Sequence, residues 1–88
     1  MILMINKEFE IVFAKVYPEF TRKLINKANQ LTPAEIKICM LIKLCFSNNQ
    51  IMSHLKISNN TLANSRSSIR NKFGLSRNES LINAIIAI

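Results

Sequence analysis

Between Ser58 and Gly74 the chain carries Asn60, Asn64, Ser67 and Asn71 at steps of four, three and four, the spacing of a single helical face. An Asn amide on such a face suits one kind of recognition. Its N–H donates to N7 of adenine while its carbonyl accepts from the N6 amine, a bidentate fit worth about 1–3 kcal/mol of discrimination between bases. Asn60, Asn64 and Ser67 are therefore the candidate base contacts. Groups suited to phosphate stand around them: the guanidiniums of Arg66 and Arg70, and the short polar side chains of Ser47, Asn49 and Asn59 near expected helix starts, where unpaired N–H groups favour an anion.

The charge has the sign this chemistry needs. Twelve Lys and Arg stand against five Glu and no Asp, a net charge of +7. Its distribution is uneven. Lys37, Lys43, Lys56, Arg66, Arg70, Lys72 and Arg77 fall between Glu35 and Glu79 with no acid among them, so residues 36–78 carry the whole excess. A basic block in an otherwise balanced chain points to a polyanionic partner.

Other chemistries find no constellation. The single His54 has no nucleophile at a useful spacing, and the five Glu form no evident acid–base pair. The lone Gly74 cannot make a Gly-rich phosphate loop. The chain is read as not an enzyme, with no cofactor and no small-molecule ligand. Cys39 and Cys45 lack metal-ligand spacing and are read as two buried thiols, with no metal. His54 is read as a packing or capping residue. The apolar runs 1–5 and 81–88 are shorter than the roughly 18–20 residues a membrane span requires, so no membrane partner and a cytoplasmic location are expected.

The elements that must position these residues are helices. With one Gly and two Pro there is too little turn punctuation for a many-stranded fold, and an all-α class is expected. Phe9, Phe13, Val16, Tyr17, Phe20 and Leu24 recur at helical steps, broken by Pro18, and predict one or two amphipathic helices over residues 1–30. Thr32-Pro33-Ala34-Glu35 reads as a capping box opening a helix that runs to about Leu44, with Lys37 and Lys43 left for solvent or phosphate. A short helix opened by Ser47 follows, then a break of about three residues and a second helix capped by Ser58. That helix keeps Leu62, Ile69 and Phe73 inward and ends at Gly74. Asn78 is the candidate cap of a last helix through Leu81, Ile82, Ile85 and Ile86.

Two helices joined by a tight break, the second apolar on one face and amide-rich on the other, describe a helix-turn-helix. Leu31-Thr32-x-x-Glu35, Ser47-Asn48-x-x-Ile51, Leu55-x-Ile57-Ser58-x-x-Thr61 and Ile69-x-x-Lys72-x-Gly74 together resemble the LuxR-type helix-turn-helix of bacterial response regulators. The stretch before it is similar to the segment preceding such domains in some Bacteroidetes regulators. The resemblance implies a domain of about four helices over residues 31–88 behind the N-terminal extension 1–30, with base contacts at the positions of Asn64 and Ser67. It also adds Lys72, through its motif, to the phosphate candidates. The chain departs from the family where Ala63 stands in place of the usual Lys, Ser65 in place of a frequent His and Asn49-Gln50 in place of Lys-Glu, so that binding would lean on Arg66, Arg70 and Lys72.

The function expected is that of a sequence-specific regulator of transcription, reading the major groove of duplex DNA with the helix that begins near Ser58. The alternative is an interaction module of the same fold that binds or antagonises another regulator. The last helix shows an apolar stripe wider than a small domain needs, and the resemblance implies that it pairs across a twofold axis. Leu81, Ile82 and Ile85 are the expected interface of a homodimer, at least on DNA.

Overall fold

The computed structural model describes residues 7–88; the apolar run 1–5 lies outside them. Six helices follow one another: α1 (Lys7–Val16), α2 (Phe20–Lys27), α3 (Pro33–Lys43), α4 (Asn48–Leu55), α5 (Asn59–Phe73) and α6 (Leu81–Ile86). No strand occurs among the described residues, and the all-α class is observed.

Most helix ends follow from local chemistry. The Thr32 hydroxyl accepts from the Glu35 N–H at 3.2 Å, the Glu35 carboxylate accepts from the Thr32 N–H at 2.9 Å, and Pro33 occupies the first turn without a donor to waste. Ser47 and Gln50 repeat the reciprocal pair at the start of α4, and Ser58 caps α5 through the Thr61 N–H at 3.1 Å. The last helix differs from expectation. Ser80, not Asn78, is its cap, accepting from the Asn83 N–H at 3.2 Å, while the Glu79 carboxylate is drawn back to the Ser76 N–H. Pro18 ends the first helix instead of kinking it: it lies in the turn between α1 and α2, and α2 begins two residues later.

Three residues take positive φ: Gly74 at 70°, Cys45 at 66° and Lys56 at 56°. Gly74 closes α5 without strain. Cys45 and Lys56 carry a Cβ in the same region, at a cost of about 1–2 kcal/mol each that the flanking packing must offset. Lys56 matters most, because it makes the turn that swings α5 across α4.

One core serves the whole described chain. Phe9, Phe13, Phe20 and Leu24 from α1 and α2 join Ile38, Leu41 and Ile42 of α3, Ile51 of α4, Leu62 and Ile69 of α5, and Leu81 and Ile85 of α6. The N-terminal aromatics touch one another, with the Phe13 ring 5.2 Å from both Tyr17 and Phe20 and 5.9 Å from Phe9. The segment before residue 31 is thus packed onto the helices that follow. Val16 departs from the expected stripe: it is 61% exposed, because α1 ends there and the chain turns its next apolar residues inward. Cys45 is exposed as well, whereas Cys39 is buried as expected. Burial, and then the nearby Glu35 carboxylate, pushes the Cys39 thiol up to about 12, which keeps it protonated and inert. No described helix is long and apolar enough to cross a membrane.

Candidate nucleic-acid interface

α4, the turn at Lys56 and α5 form two short helices crossing over a shared contact, with Ile51 of the first and Leu62 of the second at its centre. The longer helix, α5, has three chemically distinct faces. Leu62 and Ile69, at 1% and 0% exposure, hold it to the core. Opposite them Asn60, Asn64, Ser67 and Asn71 are all exposed, and the side chains of the four make no hydrogen bond among the described residues. The third face carries the charge.

On the side toward α4, a concavity of about 280 Å³ is lined by Asn48, Asn59, Ala63, Arg66, Ser67 and Arg70. Arg66 and Arg70 lie one helical turn apart. Desolvation, and then the charge of Arg70, lowers the hold of Arg66 on its proton. Two like charges held beside the N-termini of α4 and α5 create a demand for an anion, which a phosphate would relieve. Asn48 was not among the expected phosphate ligands. The signal for it was its place directly after the Ser47 cap, at the first position of a helix.

The other expected phosphate ligands are placed as follows. Asn59 and Arg66 face the concavity. Ser47 and Asn49 are exposed at the start of α4 but do not line it, and the Ser47 oxygen is engaged in its own cap. Arg70 is partly spent: its two terminal nitrogens donate to the carbonyls of Ser76 and Glu79, each at 2.8 Å, tying the loop between α5 and α6 to the helix. Lys72 is a correction. Its ammonium donates to Glu35 at 2.7 Å, on the opposite flank of α5 from the concavity, so it anchors the helix and is removed from the phosphate candidates.

Glu35 is the residue sequence reasoning undervalued. Only 6% exposed, its carboxylate accepts from the Thr32 N–H, from the Ser68 hydroxyl at 2.7 Å and from Lys72. Burial works to raise its pKa, but the hydrogen bonds from Lys72, Thr32 and Ser68 outweigh it and hold the carboxyl below its ordinary value. One carboxylate thereby fixes the start of α3 and the rotation of α5. That rotation is what turns Asn60, Asn64 and Ser67 outward.

No protein-family model, curated protein or solved structure matches the chain.

The expected dimer face is also corrected in part. Leu81 and Ile85 are 2% and 0% exposed and close the protomer's own core against α3, so neither is available to a second copy. Ile82 remains at the surface at 46%, beside Ile86 at 41%. Lys43, expected in solvent or on phosphate, donates to the Ile86 carbonyl at 2.8 Å and lies 5.1 Å from the Tyr17 ring centre, locking the end of α6 to α3 and the N-terminal segment. Lys37 lies 3.7 Å from Glu10 of α1. His54 packs its ring 5.0 Å from Phe46, and its Nδ1 is buried with no hydrogen-bond partner among the described residues.

Proposed function

We propose that the chain is a LuxR-type helix-turn-helix domain that binds duplex DNA by laying α5 in the major groove, in the manner of a regulator of transcription. The observation that carries this reading is the juxtaposition on one side of the molecule of an exposed amide stripe and a cationic concavity. Asn60, Asn64 and Ser67 supply donors and acceptors with no hydrogen-bond partner among the described residues. Arg66, with Asn48, Asn59 and part of Arg70, supplies an anion seat beside two helix N-termini. The first set would read base edges, and the second would fix the helix on the backbone. The net charge of +7 favours the encounter. Homodimerisation on the DNA belongs to the same reading, although α6 offers it only Ile82 and Ile86.

A salt titration of binding to random and selected duplexes tests this. Each phosphate neutralised adds about 0.9 to the slope of log affinity against log salt. Asn64→Ala should relax preference at one base pair by about 1–3 kcal/mol and leave binding to random duplex unchanged. Absence of binding at low salt would overturn the DNA reading and favour the protein-interaction alternative.

A further inference from the structure

The outward face of α5 is defined as much by what it lacks as by what it carries. Asn60, Asn64, Ser67 and Asn71 fall within about 60° of one another around the helix at 3.6 residues per turn, and no cation or carboxylate stands among them. The helix holds no acid at all, and its cations are turned elsewhere. Arg66 lies about 120° round from Asn60, in the concavity beside the N-termini of α4 and α5. Arg70 donates to the carbonyls of Ser76 and Glu79, and Lys72 to Glu35. Ala63 stands at the edge between the amides and Arg66, exposed and one turn from both Asn60 and Ser67.

Each base asks for a different side chain in the major groove. Guanine offers two acceptors that Arg or Lys holds, and cytosine an amine that a carboxylate accepts; adenine fits an amide bidentately, and thymine presents a methyl to an apolar group. The stripe answers the last two requests and neither of the first two. An Asn that donates to N7 of guanine sets its own carbonyl against O6, acceptor against acceptor, and the Ala63 methyl finds no methyl on a G·C pair. Ser67 can donate or accept and so tolerates either pair. Asn60 and Ser67 are seven residues apart, about 10 Å along the axis, which spans about three base-pair steps. A cation seated on phosphate, as Arg66 would be, adds affinity without sequence information.

We infer that α5 is selective for A·T pairs: the DNA it takes has a core of about four A·T pairs without G·C, in which Asn60 and Asn64 hold adenines and Ala63 meets a thymine methyl. This rests on the reading that α5 lies in the major groove of duplex DNA.

Selection of the full chain on a library of randomised duplexes, followed by competition with single-position replacements in the selected duplex, tests it. The selected core should be A·T, and one G·C pair placed in it should weaken binding about tenfold. Replacing one adenine by 7-deazaadenine removes N7 and leaves the minor groove unchanged; it should cost about three- to tenfold, and replacing one thymine by uracil about two- to threefold. Asn64→Ala should abolish the 7-deazaadenine effect at one position, and Asn64→Arg should turn the preference there from adenine to guanine. Ala63→Gly should abolish the uracil effect. Thermal melts check that each variant is folded, and Ala63→Ser replaces Ala63→Gly if the glycine unfolds the helix. Binding with a normal salt slope but a G·C core, or with no base preference, would overturn the inference and leave the DNA reading standing. An A·T preference indifferent to 7-deazaadenine, to uracil and to these variants would place the recognition in the minor groove and overturn the inference too. Failure to bind any duplex at low salt would overturn the DNA reading, and the inference with it.

Discussion

α5 and α1 are both amphipathic and both bury one face in the same core, yet their outward faces are chemically opposed. The outer face of α5 is amide and hydroxyl with guanidiniums at its flank; α1 exposes Ile11, Val12 and Val16 among Glu8, Glu10 and Lys15. The difference teaches which partner each can hold. Amides gain from a partner only if it offers donors and acceptors in fixed positions, as base edges do. Branched apolar residues gain from any surface that excludes water from them. The inner faces differ too. α1 is held by its Phe9 and Phe13 rings and by the Glu10–Lys37 ion pair, whereas α5 is held by Leu62 and Ile69 together with the bonds of Ser68 and Lys72 to Glu35.

That contrast can be broken most strongly from the inside. Phe13→Ala removes the ring at the centre of the aromatic cluster and should cost about 3–5 kcal/mol, measured by denaturant unfolding. A loss below about 1 kcal/mol would show that α1 contributes little to the common core.

Glu35→Ala comes next, at about 2–4 kcal/mol, because it removes a cap and leaves Lys72, a quarter exposed, without its carboxylate. The same carboxylate makes stability depend on pH. Its folded pKa lies below its ordinary value of 4.5, so the stabilisation is fully present above that value and is lost as pH falls through the lowered folded pKa. Melts from pH 7 down to about pH 3 should show this loss in the wild type and a flatter profile in the variant. Equal profiles would show that Glu35 is no more than a local cap.

The smallest effect on stability belongs to the outer face. Arg66→Ala should change the unfolding free energy by no more than about 0.5 kcal/mol, while lowering the salt slope of DNA binding by about 0.9 for all sequences alike. A large loss of stability with an unchanged slope would move Arg66 from the binding face to the structural one.

Much of this architecture is legible in the residues themselves. The Thr32–Glu35 and Ser58 caps, the stop at Gly74 and the split of α5 into apolar and amide faces depend on neighbours within four positions, where spacing and side-chain chemistry suffice. The fates of long side chains were not legible. Lys72 and Arg70 sit at helical positions compatible with phosphate, and only the approach of α3 and of the loop from 74 to 80 gives them closer partners in Glu35, Ser76 and Glu79. The cap of α6 shows the same limit at short range, since the pull of Ser76 on Glu79 sets where the helix begins.

The amino-acid sequence by itself determined the class of the fold, the positions of most helices and the polar stripe of α5, because these are set by periodicity and by hydrogen bonds that close within a turn. Tertiary structure alone decided which apolar stripe is core and which is surface. α6 spends Leu81 and Ile85 on α3 and keeps only Ile82 and Ile86 outside, whereas α1 keeps Ile11, Val12 and Val16 outside even as its phenylalanines are enclosed. The physical reason is that a stripe wider than its seat must leave one edge in water, and the packing angle of the neighbouring helices chooses the edge.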